Sequence, residues 1–143
     1  MTGDRPESGE AWKERLRRLE EAAKPTFWGY LGCEAETAAD GKAVIRLRTQ
    51  PHHLNLMGIV HGGVLASLLD NAMGLAVMSL CPDENAVTAQ MNVHFLQSSR
   101  GGLLLCEAGL VHRSRRTLTL EGRVLDSGGE LLAWGSGSFR RVT

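Results

Sequence analysis

The sequence predicts an α+β domain in which one antiparallel sheet curls around a single buried helix. The first observation is the apolar run from Val64 to Leu80, where Leu65, Leu68, Leu69, Ala72, Met73, Ala76 and Val77 leave little of a helix's circumference polar. Such a helix needs other structure around it. The second is a series of four strand-like segments after it, separated by breaks too short for the helical crossovers that parallel neighbours require. At 143 residues the chain is one ordinary domain, large enough to bury roughly two thirds of its extended surface.

The elements follow in order. Residues 8–23 read as an amphipathic surface helix: Ser8 is placed to cap it, Trp12, Leu16, Leu19 and Ala23 recur at helical spacing, and Pro25 ends it. From Phe27 to Gln50 two strand-like segments flank Ala39-Asp40-Gly41-Lys42, where Asp40-Gly41 suits a tight hairpin turn. Pro51 stops the pairing, and a loop containing Gly58 leads through His61-Gly62-Gly63 into the apolar helix, which Pro82 closes. The strands Ala86–Gln97, Leu103–Arg113, Arg116–Asp126 and Glu130–Arg140 then suggest a meander, with Gly109, Gly135 and Gly137 relieving curvature.

Composition excludes several classes. Sixteen basic residues balance sixteen acidic ones, so a nucleic-acid binder is not expected. Cys33, Cys81 and Cys106 are odd in number and widely spaced, which fits a reducing, cytoplasmic setting and suggests neither a disulfide framework nor a metal cluster. The acidic start, with Asp4, Glu7 and Glu10, is unlike a secretory signal. Residues Thr49 to Leu69 carry no charge, but His52, His53, Asn55 and His61 interrupt them, so membrane insertion is not expected.

Asp70 is the one ionisable group in the apolar helix. A buried carboxylate costs several kcal/mol, of order 3 or more, unless hydrogen bonds or a polar cleft compensate, so Asp70 is either a site residue or a satisfied structural group. Desolvation would raise its pKa toward a general base, whereas several donors would lower it. Gly62 and Gly63 stand at the helix start, where free N–H groups bind an anion or a developing oxyanion, or simply form a tight turn. Asp70 follows His61 by nine residues, about 180° around a helix, so the two are poorly placed to form a dyad within one chain. If one site needs both helix start and carboxylate, a second subunit is the natural source. His94 reads as a packed or surface strand histidine, and no metal-ligand spacing is present. Arg113, Arg115 and Arg116 form a basic patch that is either a solvated turn or a phosphate contact.

Asn55-Leu-Met-Gly58-Ile-Val-His61-Gly62-Gly63, the acidic residue nine positions after the histidine and the strand Val87-Thr88-Ala89-Gln90-Met91-Asn92 together resemble the hotdog-fold acyl-CoA thioesterases of the phenylacetate-degradation (PaaI-like) type. The resemblance runs from about Phe27 to Phe139. It implies a hotdog domain over residues 25–143 with residues 1–24 as an N-terminal extension. It further implies that Asp70 is the catalytic carboxylate, that Asn55 and the Gly62 amide engage the thioester carbonyl, that Thr88 helps hold the attacking water, and that His61 and Gly63 support the geometry. No cofactor is implied. The expected partner is an acyl-CoA substrate, with Arg113, Arg115 and Arg116 as candidates for its phosphates, and the expected assembly is a homodimer sharing active sites within a homotetramer. Two other readings are hydration or dehydration of an enoyl thioester, which usually needs a cooperating histidine, and nonenzymatic acyl-CoA binding.

Overall fold

The computed structural model describes residues 9–142. Their order is α1 (Gly9–Ala23), α2 (Phe27–Leu31), β1 (Glu34–Ala39), β2 (Lys42–Arg48), a single 3-10 turn at Pro51–His53, α3 (Gly62–Leu80), β3 (Asn85–Phe95), β4 (Leu103–Arg113), β5 (Thr117–Leu125) and β6 (Leu131–Val142). The six strands form one antiparallel sheet in the order β1-β2-β4-β5-β6-β3. The sheet curls around α3, whose Leu68, Leu69, Ala72, Met73 and Ala76 are fully buried against inward residues such as Ile45, Leu47, Leu104, Leu118, Leu120 and Val124. This is the hotdog architecture. Among the described residues α3 is the one helix long and apolar enough to cross a membrane, and here it is the core that the sheet encloses.

The Asp40-Gly41 turn forms as expected, with Ala39 opposite Lys42 and both central residues at positive φ (53° and 79°). That geometry is the two-residue hairpin whose twist matches the flanking strands. The N-terminal helix also forms, with Trp12 buried and Leu16 and Leu19 packed against the core; Ser8, its expected cap, lies outside the described residues.

Two expectations need correction. Phe27–Leu31 is a short helix rather than part of a strand: Gly32 at φ 96° ends it, and Gly29 seats it against the chain before it, where an added Cβ would collide with the Lys24 carbonyl oxygen. Second, only β4, β5 and β6 form a meander. β3 pairs with β6 at the sheet edge, and residues 96–102 carry the chain back so that β4 inserts beside β2. A sheet wrapping a helix is closed by hydrogen bonds between early and late strands, which local turn lengths do not reveal.

The strand glycines serve approach more than bending. An added Cβ at Gly135 would lie 2.7 Å from the Asn92 carbonyl oxygen and 3.2 Å from Leu69 Cδ1, and at Gly122 3.0 Å from Leu69 Cδ2. At Gly137 it would lie 3.1 Å from Met73 Sδ, whereas at Gly109 its nearest neighbour is Lys42 Cγ at 3.9 Å. Gly135→Ala is therefore expected to destabilise the protein by about 1–3 kcal/mol through overpacking, and Gly109→Ala by less than about 0.5 kcal/mol. Urea unfolding of both variants checks the contrast.

Candidate active site

A buried histidine organises the approach to α3. His53 is 2% exposed; its Nδ1 accepts from the Gln50 N–H at 2.8 Å, and its Nε2 lies 2.6 Å from the Leu31 carbonyl, to which it donates in the matching tautomer. Its own carbonyl accepts from the His61 N–H at 2.9 Å. One residue thus ties α2, the end of β2 and the start of α3. Sequence reasoning used His52 and His53 only as polar interruptions of an uncharged segment; the sign that was present was a histidine two residues after the proline that stops a strand.

Between His53 and α3, Asn55 Oδ1 accepts from the N–H groups of Met57 (2.9 Å) and Ile59 (3.3 Å), and the Asn55 carbonyl accepts from Gly58 (2.9 Å). Gly58 closes this loop at φ 76°. Asn55 Oδ1 is thereby committed to the loop. His61 is the helix N-cap: its Nδ1 accepts from the Gly63 N–H at 2.7 Å. The preceding donor, Gly62 N–H, has no acceptor among the described residues. Asn55 and Gly62 line one cavity of about 250 Å³ with Phe95 and Leu96.

Asp70 is half-buried, not enclosed, because the sheet leaves that side of α3 open. It accepts a hydrogen bond from Thr88 Oγ1 at 2.6 Å, joining α3 to the edge strand β3. The pair stands in a cavity of about 310 Å³ whose other walls are mainly apolar, among them Leu16, Leu19, Trp28, Leu75, Met78, Ala86 and Phe139. That volume lies at the small end of the roughly 300–1,000 Å³ range of ligand pockets. A carboxylate beside a hydroxyl at an apolar cavity can activate water or attack an electrophilic carbon.

The expected site residues thus fall into two groups within one chain. Asp70 and Thr88 stand together at one cavity; the residues around the start of α3 stand apart from them, Asn55 and Gly62 at a second cavity and His61 and Gly63 at a third with Tyr30 and His52. Arg113, Arg115 and Arg116 are exposed at the β4–β5 turn and line none of these cavities. The Arg115 carbonyl accepts from Arg141 Nη1 at 3.0 Å and the Arg116 carbonyl from the Arg141 N–H at 2.9 Å, so Arg140 and Arg141 extend the basic cluster, which sequence separation concealed. Through the register Thr117–Arg140–Val87 the cluster shares one end of the sheet with Thr88.

Other nucleophiles and bases are placed elsewhere. The three cysteines are free and buried; burial pushes the Cys33 thiol up to about 11 and the Cys106 thiol higher, so neither is a thiolate at neutral pH. His94 stacks on Trp134 with ring centroids 5.4 Å apart, on the sheet face away from α3. Among the described residues no three His, Cys, Asp or Glu groups gather as metal ligands.

The fold is a hotdog scaffold with a carboxylate on its central helix. The profile of the thioesterase superfamily matches residues 57–133, and the chain belongs to that superfamily. It is 30% identical to the 1,4-dihydroxy-2-naphthoyl-CoA hydrolase of Listeria monocytogenes over 103 residues, 71% of this chain and 84% of the relative. A variant of the phenylacetic acid degradation protein PaaI from Thermus thermophilus superposes with a TM-score of 0.75 at 31% identity, covering 81% of this chain and 98% of that one. A conserved protein of Pseudomonas aeruginosa does so with a TM-score of 0.79 at 33% identity, covering 82% and 94%.

Burial holds the His53 imidazole below its ordinary pKa of 6.5, with the charge of neighbouring His52 acting in the same direction against the Leu31 hydrogen bond. The unfolded chain therefore takes up this proton first as pH falls, and the stability present above about pH 6.5 declines below it. His53→Gln, which keeps one donor and one acceptor without titrating, is expected to flatten that decline in urea unfolding measured between about pH 7 and 5.

Proposed function

We propose that this protein hydrolyses the thioester of an acyl- or aryl-acyl-CoA, releasing the free acid and coenzyme A. The observation that carries this reading is the Thr88–Asp70 hydrogen bond at the apolar cavity, on a thioesterase-superfamily scaffold. Asp70 takes a proton from water as that water's oxygen attacks the acyl carbon, or attacks the carbon itself to give an anhydride that water then opens. Thr88 orients Asp70 and the water. The Gly62 N–H and Asn55 Nδ2 donate to the carbonyl oxygen as negative charge develops there. On the first route the C–S bond then breaks and Asp70 returns the proton to the departing thiolate; on the second the thiolate leaves as the anhydride forms, and the water that opens the anhydride supplies the protons. The name of the Listeria relative, a CoA-ester hydrolase, supports this class of substrate.

The two groups of site residues meet most simply across a two-fold axis. β3 is an edge strand of eleven residues that carries exposed Val87 and Phe95, with exposed Leu96 just beyond its end. An isologous antiparallel pairing of β3 with its copy sets the Phe95 end of one strand against the Thr88 end of the other. Gly62 lies at that Phe95 end, an added Cβ being 3.3 Å from the Phe95 ring. Each site would then draw Asn55, Gly62, His61 and Gly63 from one subunit and Asp70 and Thr88 from its partner, with two such dimers forming a tetramer. Arg113, Arg115 and Arg116, on the Thr88 end of the sheet, are the proposed contacts for the CoA phosphates. Residues 25–143 form the thioesterase domain in this reading, 1–24 extend it, and three buried free thiols suit a cytoplasmic setting.

The enoyl-thioester chemistry is less well supported because His61 is committed to the helix cap and His94 to Trp134. Purified protein is expected to release thiol from acyl-CoAs. Asp70→Asn should lower kcat by about 100-fold or more, and Thr88→Ala by about tenfold, the loss of one hydrogen bond to a charged group. Equal turnover in Asp70→Asn excludes the assignment, hydration of enoyl-CoA without thiol release favours the hydratase, and binding without turnover favours a carrier. A monomer by mass measurement in solution contradicts the shared site.

A further inference from the structure

The cavity that begins at Asp70 and Thr88 has a direction. Along α3 its lining runs Asp70, Gly74, Met78, and along the incoming edge strand it runs Thr88, Ala86, Glu84. Glu84 lies on the turn that closes α3, its N–H bonded to the Cys81 carbonyl, so the two rows are antiparallel in sequence and the cavity extends from the Asp70–Thr88 pair toward that turn. Eight helical residues span about 12 Å.

α1 forms the outer wall along this length. Near the turn, Arg15 donates to the Pro82 carbonyl; near the Asp70 end, Glu20 accepts from the Ala35 N–H at 3.1 Å, while neighbouring Cys33 accepts from Asn71 Nδ2 at 3.5 Å. These ties fix the orientation of α1. Leu16, one residue after Arg15, faces the distal end of the cavity, Leu19 its middle, and Ala23 the Asp70 end. Trp12, 5% exposed, anchors the helix in the core.

We infer that α1 is the specificity wall of the acyl slot and that Leu16 sets the length of acyl chain it accepts. This rests on the thioesterase reading of Asp70 for its substrate class, an unbranched apolar acyl group on CoA. The thioester carbon sits at Asp70 and the chain runs along α3 toward Leu16, which stands across its path. A larger side chain at 16 shortens the slot and a smaller one lengthens it. Leu16 touches neither the reacting atoms nor the proposed CoA contacts, so it changes selection among substrates, not the chemical step.

The test compares kcat/KM for acetyl-, octanoyl- and dodecanoyl-CoA in wild type, Leu16→Trp and Leu16→Ala, with thermal unfolding to establish that each variant is folded. Leu16→Trp is expected to lower the octanoyl-to-acetyl ratio by about tenfold or more, and Leu16→Ala to raise the dodecanoyl-to-octanoyl ratio. Leu19→Ala replaces Leu16→Trp if the latter does not fold, with the expectation that it too raises the dodecanoyl-to-octanoyl ratio. Hydrolysis by wild type with unchanged ratios in the folded variants overturns the inference while leaving the thioesterase reading intact. Should wild type hydrolyse none of the three, titration calorimetry with octanoate decides: weaker binding in Leu16→Trp, or tighter binding of dodecanoate in Leu19→Ala, keeps the slot without the activity. Absent or unaltered octanoate binding overturns the slot as well.

Discussion

The contact between α3 and the curled sheet is the constraint on which the remaining geometry depends. A helix apolar around most of its circumference is stable in water only when enclosed, and the sheet accomplishes this by bringing Gly122, Gly135 and Gly137 against Leu69 and Met73. The enclosure is incomplete on one side. There Asp70, Asn71, Gly74 and Met78 face α1 and β3 instead of the main sheet, and a cavity remains. The placement of the carboxylate follows from this gap: it is half-buried, close to apolar surface, yet reachable from solvent.

Much of this was legible in the chain because it is written in local periodicity. The bounds of α3, the Asp40-Gly41 hairpin, the buried face of α1 and the alternation of β2, β4 and β5 each need only neighbours in sequence. What was not legible depends on distant partners. Phe27-Trp-Gly-Tyr-Leu has strand-like composition, but Gly29 packed on the Lys24 carbonyl and Gly32 in a left-handed conformation make it a helical turn. Pairing β3 with β6 rather than with β4 is a choice between strands far apart in sequence. The gap at Asp70 is set by the same pairing, which is why burial was overestimated from sequence alone.

The site was legible in identity more than in arrangement. Asp70 and Thr88 were both singled out from sequence, and their 2.6 Å hydrogen bond brings them together. Asn55 and Gly62 were singled out as well, and they stand at another cavity of the same chain. His61 occupies a capping position that a serine or aspartate commonly fills, so its side chain holds the backbone at the start of α3. The residue that sequence undervalued, His53, acts by hydrogen bonds to the main chain of Leu31, Gln50 and His61, and main-chain partners leave no trace in residue pattern.

The position of β3 has a consequence for how the molecule comes together in time. Its one intrachain partner, β6, is the last strand of the described chain, so Thr88 waits for some fifty intervening residues before its strand is paired. During synthesis α1, α2, β1, β2 and α3 all emerge before that pairing can form. Long-range closures of this kind are slow, since loop entropy is lost before contacts compensate it. The Asp70–Thr88 pair is accordingly a late product of folding, and a ribosome-bound chain lacking β6 would hold every proposed catalytic residue without holding the site.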